Sequence, residues 1–165
     1  VTYNREMKVK ASFAREGLEC FVPMRYDLAS DLTPSKKMLV PAIHNLIFVH
    51  STQERITALK MENREFSSLR YMMKSKNEGG GVLTIRDIDM ENFIKVASID
   101  DNSVFYIDGA SHIGKKVRIT AGRFKDVTGI VKRIKRNKHV VVQIEGVAAV
   151  AITYVPAEFL EEITD

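Results

Sequence analysis

Between Gly114 and Asn137 the chain reads GKKVRITAGRFKDVTGIVKRIKRN. Apolar residues alternate with lysines and arginines, and glycines recur at Gly114, Gly122 and Gly129. Alternation with a period of two is the signature of strands, and no helical period survives after Ile113. Val117–Thr120, Gly129–Ile134, Val140–Glu145 and Val147–Val155 read as short strands, with turns at Ala121–Thr128 and Lys135–His139. So small a set of close-spaced strands is expected to close into a barrel, because closure removes exposed edges. Gly122 and Gly129 are expected at the turns between its strands, Gly122 through a positive φ.

The same stretch is unusually basic. Eight of the 22 residues from Val117 to Lys138 are Lys or Arg, and only Asp126 is acidic. Residues 1–110 hold 15 basic and 15 acidic side chains, whereas residues 111–165 hold 10 against 6, so the net +4 belongs to the last third. That asymmetry predicts a boundary, with a C-terminal part suited to nucleic acid or an acidic protein face. The polar run DGASHI (108–113) is the expected linker.

Ahead of that linker, helices and strands interleave. Residues 4–17 read as a helix whose apolar arc (Met7, Val9, Ala11, Phe13, Ala14, Leu18) is wider than one sheet contact needs, with Gly17 as its end. Two readings fit that width: burial on two sides, or one side turned toward a partner. ECFVPMRYDL (19–28) and MLVPAIHNLIFVHS (38–51) read as strands of a hairpin with a long polar tip. Ser51-Thr52-Gln53-Glu54 offers a capping box for a helix to about Met61. SSLRYMMKS (67–75) reads as a further strand, KNEGGG (76–81) as a flexible break, and Thr84 with Asp87 as caps of a helix through Ser98 whose Ile88, Phe93 and Ile94 pack inward. SVFYID (103–108) reads as a short strand or exit segment. Residues 1–107 are thus expected to form an α/β or α+β sandwich with an antiparallel sheet, and the whole chain is expected to be α+β.

Catalytic chemistry has no visible seat. The four histidines are scattered, Cys20 is the only thiol, and no zinc spacing can be assembled. Cys20 sits in an apolar strand context that favours a buried, inert thiol, and its solitude fits a reducing, cytoplasmic setting. His44, among apolar residues, is expected to be a hydrogen-bonded structural histidine. GGG at 79–81 lacks the residues of a phosphate loop. No run of apolar residues is long enough to span a bilayer, and no secretory signal is visible. The expectation is a non-enzymatic monomer without metal, cofactor or membrane partner.

The stretch from Gly114 through VRIT, Gly122 and Phe124 to Gly129-Ile130-Val131 resembles the KOW motif. YNREMKVKASFAREGLECFVPMRYDL, followed by a hairpin and HNLIFVHS, resembles the NGN domain of the NusG family of transcription elongation factors. The resemblance implies an NGN domain over 1–107 with its usual first strand mostly ahead of Val1, a linker over 108–113, and a small SH3-like KOW barrel over 114–165. His44-Asn45-Leu46, where the family usually has a Pro-Gly or Pro-Asn pair and an aromatic, is similar to specialised RfaH-like paralogues of capsular polysaccharide operons.

The resemblance further implies partners. NGN domains dock an open apolar depression on the clamp helices of the RNA polymerase largest subunit and bridge the cleft, suppressing pausing and termination. Leu46, Ile47 and Phe48 match the strand lining that depression; Phe13 and Val9 are added from the wide helix arc. Thr57 and Ala58 loosely match the segment facing the opposite lobe. Lys8 and Arg15, seven residues apart on one helix face, match positions that approach the non-template DNA strand, and equally suit a solvated face. Lys36 and Lys37 at the hairpin tip are candidates for upstream DNA phosphates.

KOW barrels of the family dock a small-subunit ribosomal protein or the termination factor Rho, and Phe124, Val127 and Ile144 match three docking positions. Glu145 and Val147 depart from the pattern, which sets Rho and ribosome coupling in doubt. Lys132, Arg133, Lys135, Arg136 and Lys138 form a basic hairpin able to hold RNA, including a nascent transcript, without sequence preference. The alternative to the NusG reading is a KOW-type RNA-binding protein of ribosomal or translational function.

Overall fold

The first helix, α1 (Glu6–Arg15), starts at Arg5 without a side-chain cap and stops at a glycine. Gly17 takes φ +67°, its N–H bonds Ala14 O at 3.1 Å, and Leu18 N–H reaches back to Phe13 O at 3.0 Å. This pair of bonds is the Schellman closure, in which a residue without Cβ enters the left-handed region freely. The computed structural model describes residues 1, 4–28, 37–99, 101–107 and 114–164. The chain divides into two compact units, Val1–Thr84 and Ile85–Asp165.

In the first unit, the expected strand 19–28 is interrupted. β1 (Glu19–Phe21) and β2 (Met24–Leu28) flank Val22-Pro23, where proline supplies no N–H to a ladder. The returning arm is β3 (Lys37–Pro41) and β4 (Phe48–His50). β2 pairs with β3 from Met24↔Pro41 to Leu28↔Lys37, and β1 pairs with β4 from Glu19↔His50 to Phe21↔Phe48, all antiparallel. α2 (Gln53–Glu62) is capped by Thr52, whose Oγ1 accepts from Arg55 N–H at 3.2 Å. Its Ile56 and Leu59 join Val9, Phe13, Phe66 and Leu69 in one apolar cluster. The Phe13 and Phe66 rings lie 4.8 Å apart.

Residues 67–75 do not form the expected strand. The one β-bridge there joins Met73 to Val82, and Arg70 Nη1 occupies the carbonyls of Ser67 and Leu69, both at 2.8 Å. KNEGGG is the turn of this narrow hairpin. Gly79, Gly80 and Gly81 all take positive φ, and Lys74 N–H bonds Gly81 O at 2.9 Å beyond them.

In the second unit, α3 (Asp87–Ala97) begins after Arg86, with no side-chain cap from Thr84 or Asp87. Arg86 instead grips Asp89 through Nε at 2.7 Å and Nη2 at 3.0 Å. α3 packs over the strands β8 (Asn137–Ile144) and β9 (Ala148–Ile152), with Phe93, Val96 and Ala97 buried. Ile88, expected inward, is exposed.

The remaining strands are β5 (Val104–Ile107), β6 (Lys115–Ile119), β7 (Thr128–Ile134) and β10 (Leu160–Glu162). Among the described residues they form one antiparallel sheet in the order β10-β6-β7-β8-β9-β5. The unbroken apolar runs of β8 and β9 are buried on both faces, as expected where a helix covers the second side of a sheet. β10 carries too little apolar periodicity to be read from sequence.

Helix 87–97 and strand 104–107, grouped with the N-terminal residues in the sequence reading, lie in the second unit, where β5 pairs with β9. The expected linker, 108–113, falls outside the described residues. Gly122 has φ +79° as expected. Gly129 does not sit at a turn: it lies within β7, where a Cβ would meet Val141 O at 2.7 Å. Its role is close strand approach.

Candidate functional site

Two regions gather the candidate residues, one in each unit. The first is the turn and strand 44–48. Asn45 takes φ +63°, and its N–H donates to the carboxylate of Glu6, a residue only 1% exposed. That bond ties the turn to the first residue of α1 and so sets where Leu46, Ile47 and Phe48 lie. Ile47 and Val49 pack on the cluster formed by Val9, Phe13 and their neighbours. Leu46 and Phe48 are each 8% exposed.

The open apolar depression expected from these residues is therefore not presented as folded. Val9 and Phe13 are core residues, 1% and 0% exposed, and cannot touch a partner; the width of the helix arc reflects burial under Phe66. Thr57 is half-buried and its Oγ1 is 2.8 Å from Tyr71 Oη, while the neighbouring Ala58 is half-buried as well. The Lys60 ammonium lies 4.6 Å from the centre of the same Tyr71 ring, a cation–π contact.

The basic candidates of this unit separate. Lys8 is exposed, whereas Arg15 is committed to Glu65 at 2.7 Å and to Ser12 Oγ at 3.0 Å. Lys37 is exposed in the last β2–β3 pair before the hairpin tip, opposite Leu28, and Lys36 lies outside the described residues. His44 is exposed in the turn rather than held among apolar residues. Cys20 is half-buried, and burial pushes its thiol up from the usual value, away from thiolate chemistry.

The second region is the β7–β8 hairpin. Its loop is two residues long, because Ile134 pairs with Asn137. Lys135 (φ +44°) and Arg136 (φ +74°) both lie in the left-handed region, the geometry of a type I′ turn that Asn-Gly would ordinarily fill. Arg133 stands directly across from Lys138, a like-charge pair that disfavours the hairpin. Lys132 belongs to the opposite face: it pairs with the buried His139, is half-buried, and donates to Gln143 Oε1 at 3.4 Å. Desolvation lowers its pKa. Arg133, Lys135, Arg136 and Lys138 are exposed and, among the described residues, have no ion-pair or hydrogen-bond partner.

Elsewhere in this unit several cations are matched. Lys115 pairs with Glu162 at 2.7 Å, Arg118 with Glu161 at 2.6 Å, and Arg123 with Asp101 at 2.5 Å. Lys95 of α3 reaches Lys125 O at 2.5 Å, and Asn92 Nδ2 donates to Thr128 Oγ1 at 3.1 Å, so α3 also holds the loop between β6 and β7. Phe124, Val127 and Ile144, expected as an exposed docking trio, are 8%, 0% and 4% exposed. As folded, they stabilise the unit and offer no docking surface. His139 Nδ1 lies 3.1 Å from Ile152 O, with its ring edge-on to Phe105 at 5.3 Å; this is a structural histidine.

Glu6, Asp101 and Tyr154 were not singled out from sequence. Asp101 has a legible signal, since Asp-Asn-Ser ahead of a strand is an Asx-turn pattern, and Ser103 N–H indeed donates to its Oδ1 at 2.7 Å. Glu6 has none: its burial depends on a turn 39 residues away. Among the described residues no group of three or more His, Cys, Asp or Glu could hold a metal ion, and no helix is long and apolar enough to cross a membrane.

Residues 113–145 match the family model of the KOW motif, which covers β6, β7 and β8. No curated protein matches the chain. A solved structure titled "Domain interaction in Thermotoga maritima NusG" aligns over 96% of this chain and 89% of that one, at 16% identity and a TM-score of 0.41. That likeness is too loose to carry function.

Proposed function

We propose that this chain is a transcription elongation or antitermination factor of the NusG kind. Of the expected NGN part, 1–107, residues 1–84 act as the polymerase-binding unit, while helix 87–97 and strand 104–107 pack with the KOW part, 114–165, in the second unit; 108–113 is the expected linker. The observation that carries the reading is the KOW match over 113–145, on a small antiparallel sheet preceded by a separate unit of helices and paired strands.

In this reading the strand at Leu46, Ile47 and Phe48 engages the clamp helices of the largest polymerase subunit, and Thr57 and Ala58 face the opposite lobe. Because Leu46 and Phe48 are 8% exposed as folded, engagement requires them to become uncovered. A factor that binds the closed clamp better than the open one shifts that equilibrium toward elongation, and a difference of about 1.4 kcal/mol changes the ratio tenfold. Phe124, Val127 and Ile144 become available to a small-subunit ribosomal protein by the same kind of opening. Service to a restricted set of operons, those of capsular polysaccharide, is the finest part of the proposal.

The test is affinity capture from native cell extract with the full chain as bait. Recovery of polymerase subunits above a bait-free control is expected. Phe48→Ala, checked by circular dichroism for an intact fold, is expected to reduce that recovery severalfold. Absence of polymerase from the eluate overturns the reading.

A further inference from the structure

We propose that the outer edge of β2 is a self-association surface. A second copy of this chain adds its own β2 there, antiparallel about a two-fold axis at Tyr26, so that two hairpins merge into one four-stranded sheet. This stands against the monomer expected from sequence.

The hairpin is unfinished by itself. Among the described residues β2 pairs only with β3, and the two form a two-stranded sheet. Such a ribbon is marginal in water until further strands or a covering layer join it. Tyr26 and Leu39 face each other across it, and both are exposed, as is Met38.

Amide direction picks the edge. Pro23 O accepts from Ala42 N–H at 2.8 Å. Because amides alternate sides along an antiparallel strand, Arg25 and Asp27 turn theirs toward β3, and Tyr26 turns its N–H and C=O outward. By the same alternation the outward positions of β3 are Lys37, Leu39 and Pro41. Lysine and proline are residues that blunt an edge, and Pro41 has no N–H to offer a new strand. β2 carries neither between Met24 and Leu28.

The order of residues in β2 names the occupant. Antiparallel pairing about Tyr26 sets Arg25 opposite Asp27 of the second copy, and Asp27 opposite its Arg25. These two side chains stand exposed on one face of the strand, 3.3 Å apart. The two-fold axis therefore creates two cross-strand pairs of opposite charge, at the positions where side chains of facing strands come closest. Tyr26 lies on the other face, and there the merged sheet gains a continuous row of Leu39, Tyr26 and their two counterparts. A strand from another protein matches this edge only if it repeats the same order of charges.

The inference does not depend on polymerase binding and is tested without polymerase. Sedimentation equilibrium of the full chain is expected to show a reversible monomer–dimer equilibrium between about 10 µM and about 1 mM, the range of a small interface. Arg25→Asp and Asp27→Arg each set like charges opposite one another twice. Each is expected to raise the dissociation constant about tenfold or more, with circular dichroism checking the fold. Mixed in equal amounts, the two variants again present opposite charges and are expected to recover the parent's affinity as a heterodimer. Tyr26→Cys with Cys20→Ser is expected to give a disulfide-linked dimer on oxidation with diamide, since Cα atoms paired on the axis lie about 5.5 Å apart. Leu39→Cys in the same background, about 14 Å from its counterpart across three strand spacings, is expected to stay uncoupled. A monomer at every concentration assigns the edge to a different partner and overturns the proposal. So does a dimer that the charge variants leave unchanged, a mixture that recovers nothing, or equal cross-linking of the two cysteine variants.

Discussion

The carboxylate of Glu6 accepts a hydrogen bond from the backbone N–H of Asn45, 39 residues later in the chain. Glu6 is buried at the start of α1, and Asn45 occupies the left-handed region at φ +63°. The bond therefore joins the first turn of a helix to the turn that launches the strand at Phe48.

Removing that acceptor is expected to loosen the turn. Glu6→Leu leaves the Asn45 N–H without its partner, a loss of about 1–2 kcal/mol. Glu6→Gln retains a side-chain oxygen and is expected to lose less. Urea unfolding of the two variants beside the parent checks the order; equal stability of all three sinks this account.

Phe13 is expected to behave as a core residue. Its ring is fully buried, 4.8 Å from that of Phe66. Phe13→Ala should cost about 3–5 kcal/mol of stability in the first unit. Calorimetry showing an unchanged melting profile contradicts the assignment.

Gly129 separates conformational need from spatial need. It does not have positive φ, yet a Cβ there would meet Val141 O at 2.7 Å and Val140 Cγ1 at 2.8 Å. The carbonyl belongs to the adjacent strand and cannot retreat without disturbing the ladder. Gly129→Ala is expected to destabilise by about 1–3 kcal/mol. Gly146 has φ +67° with open space around its Cα, so Gly146→Asn should be far milder. Comparing the two denaturation midpoints tests the distinction.

Asp101 gives the second unit an acid dependence. Hydrogen bonds from Ser103, and then from Arg123, hold its carboxyl at about 2, below its ordinary 3.8. A depressed folded-state value means the contribution is present above about pH 4 and is lost as pH falls through about 2. Asp101→Asn keeps the acceptor for Ser103 N–H but removes the titration. The stability difference between parent and variant should shrink across that window; a constant difference from pH 5 to 2 refutes the linkage.

Local patterns carried much of the architecture. Alternation at 114–155 and the glycine at 17 marked a strand-rich C-terminal part and a helix end, because a period of two and a left-handed stop depend only on neighbours in sequence. Strand 160–162 was not legible, since three residues hold no period. The apolar residues of 67–75 suit a strand, but Arg70 takes two of its carbonyls, and among the described residues its pairing is limited to the single bridge from Met73 to Val82.

What the sequence by itself determined is the mixed α+β character and the basic hairpin. What only the tertiary structure decided is which of those residues are spoken for. Val9, Phe13, Phe124, Val127 and Ile144 look like a docking surface in one dimension and are buried in three. Arg15 and Lys132 look like free cations, and find Glu65 and Gln143. Burial and charge pairing are set by segments tens of residues apart, as with Arg15 and Glu65, 50 positions from each other. No periodicity within one segment records which distant side chain will close over it.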